Sequence, residues 1–291
     1  MTNPEQKEAY FRYLTERLDN SQSKNIVIPT SVDLILQKAQ EVDNVRVLDI
    51  GCFSGAMLNR IRNEVSEEVR KRIEFVGIDA DQEALALGKA KYRGLTLISR
   101  NLDETFDGLG KFDIAIMSNV LHEAISDKAD TDYQEIVTSM LAKTIDLTNE
   151  GGHLIILDGL RSENDLYRVK LSFATPQMKD TFLFFAKEYS AFPIETIDLG
   201  DGFIQTRIKD LAAFLTKARY LQEKYWPIES TQIYQFFTAG QFESALQSSG
   251  FEVEQMEPQV FTQEHLEDIF SFVDPKISFP VKNILIVARR T

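Results

Sequence analysis

The stretch Val45-Arg46-Val47-Leu48-Asp49-Ile50-Gly51-Cys52-Phe53-Ser54-Gly55 limits what this chain can fold into more than any other. Val45, Val47, Leu48 and Ile50 form the near-continuous apolar run of a parallel strand covered on both faces. Gly51 and Gly55 permit tight backbone turns that a side chain would block. Leu58, Ile61 and Val65 then recur at helical spacing, so a helix packs back onto the strand.

The chain repeats this unit. Arg72 to Asp79, Leu95 to Ser99, Phe112 to Ser118 and His153 to Asp158 are further predicted strands. Gln82 to Lys91 reads as a helix. A longer one carries Tyr133, Ile136, Val137, Met140, Leu141 and Ile145 on one face and stops at Gly151-Gly152. A helix at about Gly240 to Ser249, a strand from Phe251 and a last strand from Asn283 to Ala288 complete the pattern. The expected fold is α/β: a doubly wound, mostly parallel seven-stranded sheet with helices on both faces. Its ligand should lie beyond the carboxyl ends of the strands, at Asp49 to Gly55, Asp79, Ser99 to Asp103 and Ser118 to Glu123.

Two segments fall outside that core of residues 44–158 and 239–291. Residues 1–43 predict a helical N-terminal lid, with one helix over residues 4–18 (Tyr10, Phe11, Leu14 and Leu18 on one face) and another from about Ser31, a fair N-cap, to Glu41. Across residues 159–238 strand signals fade and aromatics crowd in, so this insertion is expected to be a helical cap. Its rings would form mainly its own core, with a subset lining a substrate pocket.

The net charge of −13 over 291 residues disfavours a nucleic-acid partner unless a local basic patch overrides it. One cysteine, Cys52, excludes an internal disulfide and a Cys-based metal cluster. No apolar run approaches the roughly 18 residues of a membrane span, and the polar N-terminus is no signal peptide. A cytoplasmic protein with no membrane partner is expected.

The opening turn discriminates between cofactors. A dinucleotide site wants G-x-G-x-x-G/A, and Gly51, Phe53 and Ala56 occupy those positions. Phe53 replaces the glycine that lets backbone approach a diphosphate, and Asp49 would repel phosphate while attracting an ammonium or sulfonium. With Val47 to Gly55 in this form, the chain resembles the class I S-adenosylmethionine-dependent methyltransferases, whose first motif is usually D-x-G-x-G-x-G; Phe53 is the departure. The resemblance spans roughly residues 44–158 and, more weakly, 239–290.

That resemblance implies S-adenosyl-L-methionine as cofactor. It places Asp49, Gly51, Cys52, Phe53 and Gly55 around the methionine part. Asp79-Ala80 falls at the ribose, with Asp81 a nearby alternative, and Asn101-Leu102 falls at the adenine. Ser118 and Asn119, with His122 and Glu123 after them, face the transferring methyl, and Gly151-Gly152 precedes strand five. On their own, Asp79 could instead cap the helix from Gln82, and Asn101 could be a turn residue.

Methyl transfer needs alignment first, and a base if the acceptor is a hydroxyl or protonated amine. His122 is the candidate base, with capping or packing as its other reading. Glu123 could orient His122 or bind substrate, but adjacent helical residues point apart. His153 and His265 read as structural. No Asn/Asp-Pro-Pro-Tyr/Phe sequence follows strand four, and no three-carboxylate or His cluster suggests a metal site. Within the cap, Arg207 and Arg219 could grip an acidic substrate, beside Trp226, or simply form a solvated face. The reading is methyl transfer to a small-molecule O or N acceptor. The alternatives are a methyltransferase acting on RNA or another macromolecule, and a non-catalytic binding protein of the same fold.

Overall fold

The computed structural model describes residues 25–102, 104, 106–126, 133–223, 226–260, 266, 268–273 and 280–291. The expected helix over residues 4–18 lies outside them, as does His265.

Helix α1 (Val27–Glu41) leads into β1 (Val45–Ile50), α2 (Ala56–Glu64), a short α3 (Glu67–Arg70), β2 (Ile73–Asp79), α4 (Gln82–Lys91), β3 (Thr96–Ser99) and β4 (Phe112–Ser118). Then come α5 (Leu121–Ser126), α6 (Tyr133–Leu147) and β5 (Thr148–Gly159). After the insertion the chain returns through α10 (Ala239–Ser248), β9 (Phe251–Val260) and β11 (Val281–Arg290). These strands form one seven-stranded sheet in the order β3-β2-β1-β4-β5-β11-β9. The strands β1 to β5 run parallel, and β11 is antiparallel to both β5 and β9.

The period-2 alternation of each strand sends residues to two separate cores. Val45, Val47, Ile114, Ile116, Ile155 and Leu157 meet α1 and α2 on one face. Leu48, Ile50, Ala115, Met117, Leu154 and Ile156 meet α6 and α10 on the other. Both faces are covered, which is why these strands read as unbroken apolar runs. Helix α1 starts four residues earlier than expected: Ser31 lies inside it, its hydroxyl donating to the Val27 carbonyl at 2.7 Å instead of capping.

The insertion differs from the helical cap expected. Strands β6 (Arg168–Phe173), β7 (Thr196–Gly200) and β8 (Phe203–Arg207) lie in it, and β10 (Phe270–Phe272) joins them from the later segment in a four-stranded antiparallel sheet, β10-β6-β8-β7. Helices α7 (Pro176–Glu188), α8 (Ile208–Lys217) and a short α9 (Trp226–Glu229) accompany it. Val169, Leu171 and Ile204 from the sheet meet Phe182, Phe185, Leu211 and Phe214 from the helices in a core separate from those of the main sheet. The boundary at residue 239 is therefore not clean, since β10 completes the cap sheet. The chain enters and leaves the cap side by side: Leu160 pairs with Phe237, and a Cβ on Gly159 would fall 2.0 Å from the Tyr234 carbonyl oxygen.

Candidate active site

The carboxyl ends of β1, β2, β4 and β5 converge below the cap. At the end of β1 the Gly51 and Cys52 amides both donate to the Ile78 carbonyl, at 2.9 and 3.0 Å, stitching the turn to β2. Gly51 has φ +71°, and a Cβ there would meet Val120 Cγ2 at 2.5 Å, so only glycine fits beneath the segment that starts α5. Gly55 likewise has φ +77°. Phe53 sits at φ +52° in the left-handed region, so it keeps the backbone shape of the glycine that the resemblance would place there. Its amide donates to Asp79 Oδ2 at 2.7 Å. Holding a non-glycine residue in this region costs about 1–2 kcal/mol, and such strain concentrates at functional sites. Asn119, at the end of β4, is left-handed too, with φ +58°.

Asp49 is buried at the mouth of the turn, and the Cys52 thiol packs against Leu85 and Leu97. The Ser54 hydroxyl is buried with no hydrogen-bond partner among the described residues. Asp79 does not cap α4; Asp81 does, accepting from the Glu83 and Ala84 amides. Asp79 Oδ1 accepts from the Asp81 amide at 2.8 Å, and burial pushes the Asp79 carboxyl above the ordinary carboxylate range. Ala80 is exposed beside it. Asn101 is exposed, and its carbonyl accepts from the Glu104 amide in a turn. Leu102 is half-buried, and the Lys143 ammonium of α6 holds its carbonyl at 2.9 Å. Ser118 is buried at the end of β4.

His122 is buried, 5% exposed, on the first turn of α5. Its Nδ1 lies 2.8 Å from Asp158 Oδ1. Asp158, fully buried at the end of β5, also accepts from the Leu121 and His122 amides through Oδ2 and from the Gly159 amide through Oδ1. Three backbone N–H groups converge on this carboxylate, which makes it the acceptor in its contact with His122 and assigns the histidine's proton to Nδ1. The partner of His122 is therefore Asp158 and not its neighbour Glu123. Burial pushes the Glu123 carboxyl up, His122 opposes the shift, and the charges of Asp79, Asp158 and Glu229 add to it. Its surface is nonetheless exposed to solvent, which weakens that shift.

Tyr234, on the segment leaving the cap, was not singled out by the sequence. Its ring stands edge-on to His122 at 4.8 Å, and its hydroxyl lies 2.8 Å from Oδ1 of both Asn119 and Asn283. Three of the cap residues expected at the substrate lie elsewhere. Arg207 donates to both oxygens of buried Asp210, to Glu195 and to the Pro193 carbonyl, so its guanidinium is committed to the cap's own structure. Arg219 lies over Tyr220 and donates to its hydroxyl. Trp226 packs on Phe185 in the cap core. Lys217, at the end of α8, is 3% exposed and pairs with Glu229 at 2.5 Å and Gln232 at 2.9 Å.

The strand order, the glycine turn closed on Asp79, and the acidic mouth at Asp49 are those of the class I S-adenosylmethionine-dependent methyltransferase fold. A family profile described as a methyltransferase domain matches residues 48–154. A search of curated proteins finds no match. Among solved structures, the DszA carbon methyltransferase superposes with a TM-score of 0.51 at 15% identity, covering 92% of this chain and 53% of that one. An S-adenosylmethionine-dependent methyltransferase from Mesorhizobium loti gives 0.49 at 18% identity, covering 86% and 93%. CalS10, an S-adenosylmethionine-bound amino pentose methyltransferase from Micromonospora echinaspora, gives 0.49 at 14% identity, covering 96% of each chain. Among the described residues no helix is long and apolar enough to cross a membrane.

Proposed function

We propose that this protein methylates a hydroxyl group of a small molecule, with His122 as general base and Asp158 as the residue that positions it. The observation that carries this reading is the buried 2.8 Å contact between His122 Nδ1 and Asp158 Oδ1. It leaves Nε2 as the basic nitrogen. A hydroxyl acceptor needs such a base because the neutral oxygen is a poor nucleophile; an uncharged amine needs none at the moment of attack.

The residues present fit the cofactor. The Gly51 turn has no room for a Cβ, the Ser54 hydroxyl is buried and unpartnered among the described residues, and Asp49, Asp79 and Glu123 favour a cation. In this reading Asp49, Gly51, Cys52, Phe53 and Gly55 surround the methionine part, Asp79 and Ala80 the ribose, Asn101 and Leu102 the adenine, and Ser118 and Asn119 wall the methyl side. When bound, S-adenosylmethionine supplies an electrophilic methyl group and leaves as the neutral thioether. As the new C–O bond forms, His122 Nε2 takes the acceptor's proton and Asp158 stabilises the imidazolium, which later returns the proton to solvent.

The carboxyls at the cleft floor give this reading a pH signature. Glu123 and Asp79 are raised in the free protein, so above the ordinary carboxylate range they still hold protons that a sulfonium would expel. S-adenosylmethionine affinity is therefore expected to rise with pH across that window, by at most about one decade per pH unit for each proton released. S-adenosylhomocysteine, with a neutral sulfur, should follow a shallower line. Calorimetry in two buffers of different ionisation heat checks both the slope and the proton release; equal slopes for the two ligands would contradict the placement of these carboxyls. The acceptor class is tested by following S-adenosylhomocysteine formation with matched phenols and anilines. Phenols should turn over, and a clear preference for the anilines would overturn the reading.

A further inference from the structure

A cavity of about 190 Å³ lies where the cap meets the ends of β5 and β11. That is the volume of about six waters, room for a compact acceptor. Tyr189, Phe192 and Tyr234 supply aromatic walls, and Arg161, Asp165 and Lys209 supply charge. Tyr234 belongs to both places, lining the cavity while its ring touches His122 at 4.8 Å. His122 itself does not line the cavity, so Tyr234 is the residue through which the two places meet.

The geometry points to an acceptor that carries a carboxylate as well as its hydroxyl, on a small planar frame; this rests on the hydroxyl reading above. Two cations face one carboxylate in the lining. The Nε of Arg161 is buried with no hydrogen bond among the described residues, and its nearest carboxylate oxygen, on Asp165, lies 3.6 Å away, beyond hydrogen-bonding reach. Nη2 of the same guanidinium is fixed by Gln241 at 2.8 Å. Lys209 stands 4.8 Å over the Phe192 ring and has no carboxylate in ion-pair reach among the described residues. In the cap, Arg168, Lys179, Arg207 and Lys217 each pair with a carboxylate, as expected in a chain of net charge −13. Lys209, like Lys170 and Arg219, has an aromatic ring and no carboxylate beside it among the described residues, and of these three only Lys209 lines the cavity. The first amides of α8 contribute nothing, because Ile208 and Lys209 N–H donate to the Tyr167 and Asp165 carbonyls at 2.9 Å. The positive field is a side-chain field, available for charge-assisted bonds to an anion.

The test is calorimetry of the full-length protein saturated with S-adenosylhomocysteine, titrated with 2-, 3- and 4-hydroxybenzoate and with the methyl ester of each. At least one acid should bind ten-fold or more tightly than its own ester. Lys209→Met, which keeps the stem over Phe192, should erase that ratio, and Lys209→Arg should preserve it. The proposal fails if no acid binds, if every ester binds as well as its acid, or if Lys209→Met leaves the ratio intact. Binding is read without turnover, so the two readings fail separately. Acids that bind with the expected ratio but are never methylated on oxygen would remove the hydroxyl reading and leave the anion site. Esters methylated on their hydroxyl as readily as the acids would remove the anion site alone.

Discussion

Replacing His122 by alanine is expected to lower kcat by about 10²–10⁴, the usual worth of a positioned general base, while S-adenosylmethionine binding changes little. Asp158→Asn should reproduce much of that loss. An asparagine cannot accept from both the histidine Nδ1–H and the backbone amides of Leu121 and Gly159 that the carboxylate now serves. Its NH₂ group must face one of them, which disfavours the productive tautomer or loosens the start of α5. The double variant should be little worse than either single one, because the two act as a unit. Isothermal titration for the cofactor and steady-state kinetics for the acceptor separate the contributions. If His122→Ala weakens cofactor binding and leaves kcat intact, the residue packs the cleft and is no base.

The second large effect belongs to the cap. Lys217→Met should destabilise the protein by about 3–5 kcal/mol, the cost of removing one partner from a buried ion pair. The side chains of Lys217 and Glu229 are each only 4% exposed, so Glu229 would be left in the interior without the lysine's charge. Replacing both members, Lys217→Met with Glu229→Leu, should recover most of the loss, since a packed apolar pair avoids the desolvation that the ions pay. Denaturant midpoints at constant slope measure this. A single variant as stable as the parent would mean that the pair contributes no net attraction. Lys217 also lies 5.9 Å from the Tyr234 ring, so loosening the pair should reach the substrate side of the site before the cofactor side.

Why the core was legible and the cap was not follows from local signals. Buried parallel strands announce themselves as apolar runs, so β4 and α4 begin and end at the residues predicted, Phe112–Ser118 and Gln82–Lys91. The cap strands are half-exposed. In β6, Val169 and Leu171 point inward while Lys170 and Ser172 alternate with them. That period-2 pattern is present in the sequence but brief, and the surrounding aromatics outweigh it. β7 pairs only with β8 among the described residues and is mostly exposed, so its sequence carries almost no burial signal. The site divides in the same way. The acid-ended strands and the glycine turn are local, and the sequence marks them. Asp158 was legible only as the end of a strand; that it faces His122 depends on β5 lying beside β4 in the sheet. A carboxylate at the carboxyl end of the strand adjacent to His122 was the available clue. Tyr234 reaches Asn119 across 115 residues of chain, and no local pattern reports a contact of that kind. Arg207 illustrates the opposite error, because a basic residue looks like a binding group until its acidic partner, Asp210, is brought against it by the fold.

Trideuteromethyl-labelled S-adenosylmethionine, incubated with the protein and an acceptor bearing both a hydroxyl and an amino group, tests the central claim most directly. Fragmentation mass spectrometry of the product should find the label on the hydroxyl oxygen, formed at least about 100-fold more slowly by His122→Ala. Label on the nitrogen or on carbon, or an oxygen label formed at the parent rate without His122, would contradict the account.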